Sequence, residues 1–118
     1  MDILVTNNPM VKEKCQSKLE VEYLDADLLG ILTHIRDRVH KGYKLLTHPM
    51  SGSVKPNESP YKSVLISDNP DNIDPQSVCI IEESIQTVCK FPKKHIPEKH
   101  LHDLQTIDLA LIRSALYQ

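Results

Sequence analysis

The chain has 118 residues, enough for one domain over residues 1–118 with one modest hydrophobic core and too few for a second. With 40% apolar and 25% charged residues and a net charge of -2, it reads as an ordinary folded protein with no strong electrostatic pull toward nucleic acid or an anionic membrane. No stretch approaches the roughly 20 apolar residues that span a bilayer, and the first residues lack the basic flank and apolar core of a signal peptide, so the expected location is cytoplasmic. Three cysteines without close pairing fit a reducing compartment.

Ile3-Leu4-Val5 is a short apolar run ending in Thr6-Asn7-Asn8-Pro9, which favours a turn and a helix start. Asn8 is placed to cap that helix and Pro9 to occupy its first turn, with the helix running through Cys15. Lys18 to Tyr23 alternates Leu19, Val21 and Tyr23 with Glu20 and Glu22, the pattern of an edge strand with one wet face. From Asp25 the period becomes helical, with Leu28, Ile31, Leu32, Ile35 and Val39 on one face and Gly42 as the closing glycine.

Tyr43 to Leu46 reads as a third strand, followed by a long polar loop and then by Val64-Leu65-Ile66 as a fourth. Asp74-Pro75 opens a helix carried by Val78, Ile81, Ile85, Val88 and Cys89 and ended by Phe91-Pro92. A last helix starts at Pro97-Glu98; Leu104, Ile107, Leu109, Leu111, Ile112 and Leu116 cover so much of its circumference that cover by a second copy, a homodimer contact, is expected. The alternation predicts an α/β fold, a three-layer sandwich around a small, mostly parallel sheet of about four strands. The connection from Leu46 to Val64 is long enough for a crossover but holds no helical pattern, which leaves the direction of the last strand open.

In an open parallel sheet, ligands bind beyond the carboxyl ends of the strands. That rule predicts one crevice formed by Asn7 and Asn8 after the first strand, Thr47, His48, Ser51, Gly52, Ser53, Lys55 and Asn57 after the third, and Asp68 after the fourth. Ser51-Gly52-Ser53 with Lys55 supplies backbone N–H groups, hydroxyls and a cation, suited to a carboxylate or phosphate, although no Walker loop is present. The bland alternative is a loop satisfying its own backbone.

His48 stands where a general base would, yet no partner carboxylate is identifiable from spacing. His100 and His102 diverge on a helix and are flanked by lysines, so no metal is expected. Cys15, Cys79 and Cys89 carry no CxxC signature and read as small buried hydrophobes. Glu82 and Glu83, adjacent on a helix, read as a solvated face. No catalytic residues and no cofactor are assigned.

Three stretches carry a likeness to a known family: Thr6 to Pro9, His40 to Pro49, and Ser51 to Ser63. Together they resemble the GrdX family of small proteins encoded with the selenium-dependent glycine, sarcosine and betaine reductases. The resemblance implies a cytoplasmic accessory role in that pathway and carries over no catalytic residues. It leaves two readings. One is an accessory or regulatory module binding a small anionic metabolite or a reductase component. The other is a small enzyme acting on a carboxylate- or phosphate-bearing intermediate, with His48 as acid or base.

Overall fold

The computed structural model describes residues 1–50, 55 and 57–116. Its elements follow in the order β1 (Ile3–Thr6), α1 (Pro9–Cys15), β2 (Glu20–Tyr23), α2 (Leu28–His40), β3 (Ser63–Ile66), α3 (Pro75–Lys90) and α4 (Glu98–Leu116). The result is a mixed α/β protein with four helices and a three-stranded open sheet of order β2-β1-β3.

Pairing fixes the strand direction that the sequence left open, and the sheet has three strands where about four were expected. Between β1 and β2 the pairing is parallel, but β3 runs antiparallel to β1, with Ile3 opposite Ile66 and Thr6 opposite Ser63. The expected strand Tyr43–Leu46 is reduced to one isolated bridge between Leu45 and Ile66. Two of its amides go to side chains, Lys44 N–H to Ser67 Oγ at 2.8 Å and Leu45 N–H to Ser77 Oγ at 3.0 Å, while Leu46 N–H still donates to the Leu65 carbonyl at 2.9 Å. With two donors turned toward hydroxyls the segment cannot form a regular ladder.

Alternation along β1 sorts the core. Ile3 and Val5 join Val64 and Ile66 in a cluster with Ile31, Leu32 and Ile35 of α2 and Ile81 and Ile85 of α3. Leu4 joins a second cluster with Val11 and Cys15 of α1 and Leu109 and Ile112 of α4, with Val21 and Leu65 packed against it. Burial of all four β1 residues explains why that run is apolar without alternation, whereas β2 at the edge leaves Glu20 exposed.

Capping fixes where the helices begin. Asn8 Oδ1 accepts from Met10 N–H, Asp27 Oδ1 from Gly30 N–H and Asp74 Oδ2 from Ser77 N–H. Pro9 and Pro75 take first-turn positions where a missing N–H costs nothing. Half-buried Glu22 ties β2 to α2 by accepting from Arg38 Nε at 3.2 Å and by meeting His34 Nε2 at 2.6 Å. Burial works against its charge, but the bonds from Arg38 and His34 outweigh it and hold the carboxyl below its usual range. Of the cysteines, Cys15 is buried as expected; Cys79 and Cys89 are exposed, because α3 buries the Ile81, Ile85 and Val88 side instead.

Gly42 closes α2 at φ 103, and a Cβ there would stand 1.9 Å from the Asp71 carbonyl oxygen. Gly42→Ala therefore meets both strain and a backbone clash, and should cost more than about 1 kcal/mol. Ile35→Ala, at a site with 0% exposure, should cost about 2–5 kcal/mol. Ile73→Ala, at 53% exposure, should change stability by no more than about 0.5 kcal/mol. Urea denaturation of the three variants measures each difference, and an Ile35 variant no weaker than the Ile73 variant would contradict the described core.

Candidate functional site

Two polar residues, Thr6 and Ser63, face each other across the β1–β3 register, whose other pairs are apolar. Their side chains lie on the Leu4 face, under α4, and lead to a carboxylate. Asn8 N–H donates to Thr6 Oγ1 at 3.0 Å, the Thr6 and Ser63 hydroxyls are 2.7 Å apart, and Ser63 Oγ donates to Asp108 Oδ2 at 2.8 Å. Since Ser63 has only one proton and gives it to Asp108, Thr6 is the donor between the hydroxyls. Asn8 Nδ2 adds a second bond to Asp108 Oδ2 at 3.0 Å and a third contact to the Gln105 carbonyl at 3.0 Å.

Asp108 is 7% exposed. Burial raises its pKa, opposed by the bonds from Asn8 and Ser63 and by the nearby Lys62 charge. Both hydrogen bonds described above go to Oδ2, so Oδ1 has no side-chain partner among the described residues.

Above Asp108 opens a cleft enclosing about 390 Å³ of atom-free space, part of it open to solvent. One wall is polar and comes from the chain entering β3: Lys55, Asn57, Ser59, Tyr61 and Lys62. The opposite wall is apolar, with Leu104, Ile107 and Leu111 of α4 and Leu28 at the start of α2. Tyr61 is fixed by accepting from Gln105 Nε2 at 2.8 Å. Lys62 is half-buried; desolvation lowers its pKa, and the Asp108 charge pulls it back up. The two charges line both this cleft and the hollow beside it, which Leu111 also borders, yet they do not close into a direct ion pair. The breadth of the apolar face on α4 has a local cause: Leu109 and Ile112 enter the core while Leu104, Ile107 and Leu111 border the cleft.

The residues expected in one crevice are distributed over the molecule. Lys55 and Asn57 line the cleft. Asn57 adopts φ 67, and its Nδ2 donates to the Val88 and Phe91 carbonyls at the end of α3. Asn7 stands behind the cleft: its Nδ2 donates to the Ala26 and Pro60 carbonyls and its Oδ1 accepts from Lys62 N–H. Asn8 caps α1 and supports Asp108. Thr47 flanks β3, its Oγ1 accepting from Leu65 N–H. His48 is exposed, accepts from Met50 N–H at Nδ1 and is not among the residues lining the cleft. Ser51, Gly52 and Ser53 lie outside the described residues.

Asp68 is the clear correction, since antiparallel β3 carries its carboxyl end to the start of β1, away from Asn7. There Asp68 pairs with the Met1 amino group. Sequence reasoning missed Asp108, Lys62, Tyr61 and Ser59. The available signal for Asp108 was its place on α4, four residues after Leu104 and four before Ile112, an acid on an apolar stripe. Lys62 gave none, because a lysine before a strand is ordinarily solvated.

Fold and site together define a small mixed α/β protein whose cleft beside α4 bears both signs of charge. The chain belongs to the GrdX-like protein family, whose model matches residues 3–117. No curated protein and no solved structure matches it.

A raised folded-state pKa means that the contribution of Asp108 to stability is complete below the unfolded Asp value of about 3.9 and is lost as pH rises through the folded value. Asp108→Asn keeps an acceptor for Asn8 and Ser63 but removes the titration. Urea denaturation across a pH series should therefore show the wild type gaining on the Asn variant as pH falls. Parallel pH curves would contradict the assignment.

Proposed function

We propose that the protein is a cytoplasmic accessory or regulatory component of selenium-dependent glycine, sarcosine and betaine reduction, binding a small anionic metabolite in the cleft over Asp108. One observation carries this reading: Lys62 and Lys55 converge on the same cleft, beside the hydroxyls of Ser59 and Tyr61 and the amide of Asn57. A half-buried ammonium attracts an anion more strongly than one on open surface, because solvent screens it less. The pathway assignment rests on the family. In line with it, among the described residues no helix is long and apolar enough to cross a membrane.

The reading as a binding module is favoured over the enzymatic one by His48. A general acid or base needs a reacting group within hydrogen-bond reach and a partner to orient it. His48 spends Nδ1 on a backbone amide, and among the described residues no carboxylate is bonded to it.

A thermal-shift screen against phosphate, acetate, acetyl phosphate, glycine, sarcosine and betaine tests the proposal, since a ligand that binds only the native state raises its apparent stability. At least one of these anionic or carboxylate compounds should raise the melting temperature. In calorimetric titration with that compound, Lys62→Ala should lose about 1.5–3 kcal/mol of binding, the range for a hydrogen bond to a charged group. Lys55→Ala should lose no more than about 1 kcal/mol, because Lys55 is exposed. Lys41→Ala, on a surface elsewhere, serves as the unchanged control. No shift with any compound, or equal losses in all three variants, would remove the reading.

A further inference from the structure

We infer that the cleft is built for a zwitterion, a small amino acid whose carboxylate meets Lys62 and whose ammonium meets Asp108. This deepens the anion-binding reading and rests on it.

A pure anion would meet a like charge in this cleft. A carboxylate or phosphate held by Lys62 comes to lie beside the Asp108 carboxylate, because both side chains line the same cleft and its neighbouring hollow. Like charges in a partly desolvated site repel strongly. An ammonium on the ligand cancels that repulsion and meets the carboxylate oxygen that has no side-chain partner among the described residues.

Asp108 is held for such a task. Its other oxygen takes two hydrogen bonds, from Ser63 and from Asn8, and these fix the carboxylate plane between β1, β3 and α4. If Asp108 served only to join those elements, a neutral amide or hydroxyl would accept the same two bonds without the cost of burying a charge. The backbone of Lys62 is held where its N–H donates to Asn7 Oδ1 at 2.8 Å. The two opposite charges thus come from separate segments, the entrance to β3 and α4, and line the same cleft without a direct ion pair. A ligand carrying one charge of each sign complements both.

The remaining wall specifies the rest of the ligand. Leu28, Leu104, Ile107 and Leu111 offer no hydrogen-bonding side chain, so the part facing them is hydrogen or a short alkyl group. A polar amino-acid side chain finds no partner on that wall.

Isosteric pairs make the test. Glycine and propionate share size and carboxylate and differ by an ammonium in place of a methyl group; alanine and isobutyrate form a second pair, and ethylamine supplies the cation alone. Isothermal titration of the wild-type chain should give glycine or alanine an affinity roughly 10- to 100-fold above its isostere, the factor that one charge-assisted bond supplies, with ethylamine weaker still. In Asp108→Asn, shown to be folded by circular dichroism, that preference should collapse to about twofold or less while propionate binding holds or improves. Propionate or isobutyrate binding as tightly as its amino acid in the wild type overturns the zwitterion inference and leaves the anion reading standing. If acetate, phosphate, propionate and the amino acids all fail to bind, the anion reading falls as well. The wild-type comparison decides the matter even if the variant does not fold.

Discussion

Strand β1 has no face turned to water, and the rest of the chain is arranged around that constraint. Its apolar residues alternate between two clusters, so one side needs α2 and α3 and the other needs α1 and α4. Four residues are too few to hold such an arrangement by hydrogen bonding alone; most of the stabilisation comes from the isoleucines and leucines that the helices bring to it. The single exception to its apolar character, Thr6, lies at its carboxyl end, and that is where the polar chain to Asp108 begins. A buried hydroxyl demands a partner, and the chain of partners recruited here ends at Asp108, which lines the cleft.

What the sequence disclosed follows the strength of local signals. The caps at Asn8 and Asp74, the prolines behind them and the closing glycine at Gly42 all act through a few neighbouring residues, and each stands where its local chemistry requires. Strand direction is a different matter. Nothing within Val64-Leu65-Ile66 distinguishes a parallel from an antiparallel partner, because the apolar alternation is the same in both. The site expectation inherited that ambiguity: with β3 reversed, Asp68 left the group, while Lys62, at the entering end of the same strand, joined it.

The apparent strand at Tyr43–Leu46 shows a second limit. Its residues have adequate β propensity, but Ser67 and Ser77 offer hydroxyls to its amides, and these tertiary bonds win over further pairing. Asp108 illustrates the reverse case. Its burial depends on Asn8 and Ser63, a hundred and forty-five residues apart from it in sequence respectively, and only the folded chain brings the three together. Of the long loop, Lys55 and Asn57 line the cleft, beside Tyr61, Lys62 and Asp108, which the loop itself does not name.

Asn57 joins the cleft wall to a helix that otherwise has no part in it. Its side chain holds two carbonyls at the end of α3 while its backbone turns through a left-handed conformation between Lys55 and Ser59. Fraying of that helix end would break the Asn57 bonds and release part of the wall. A molecule lodged against the wall would in turn slow amide exchange in the last turn of α3. The protein would carry occupancy of its cleft outward as a change in the lifetime of a helix end, without any displacement of the average structure.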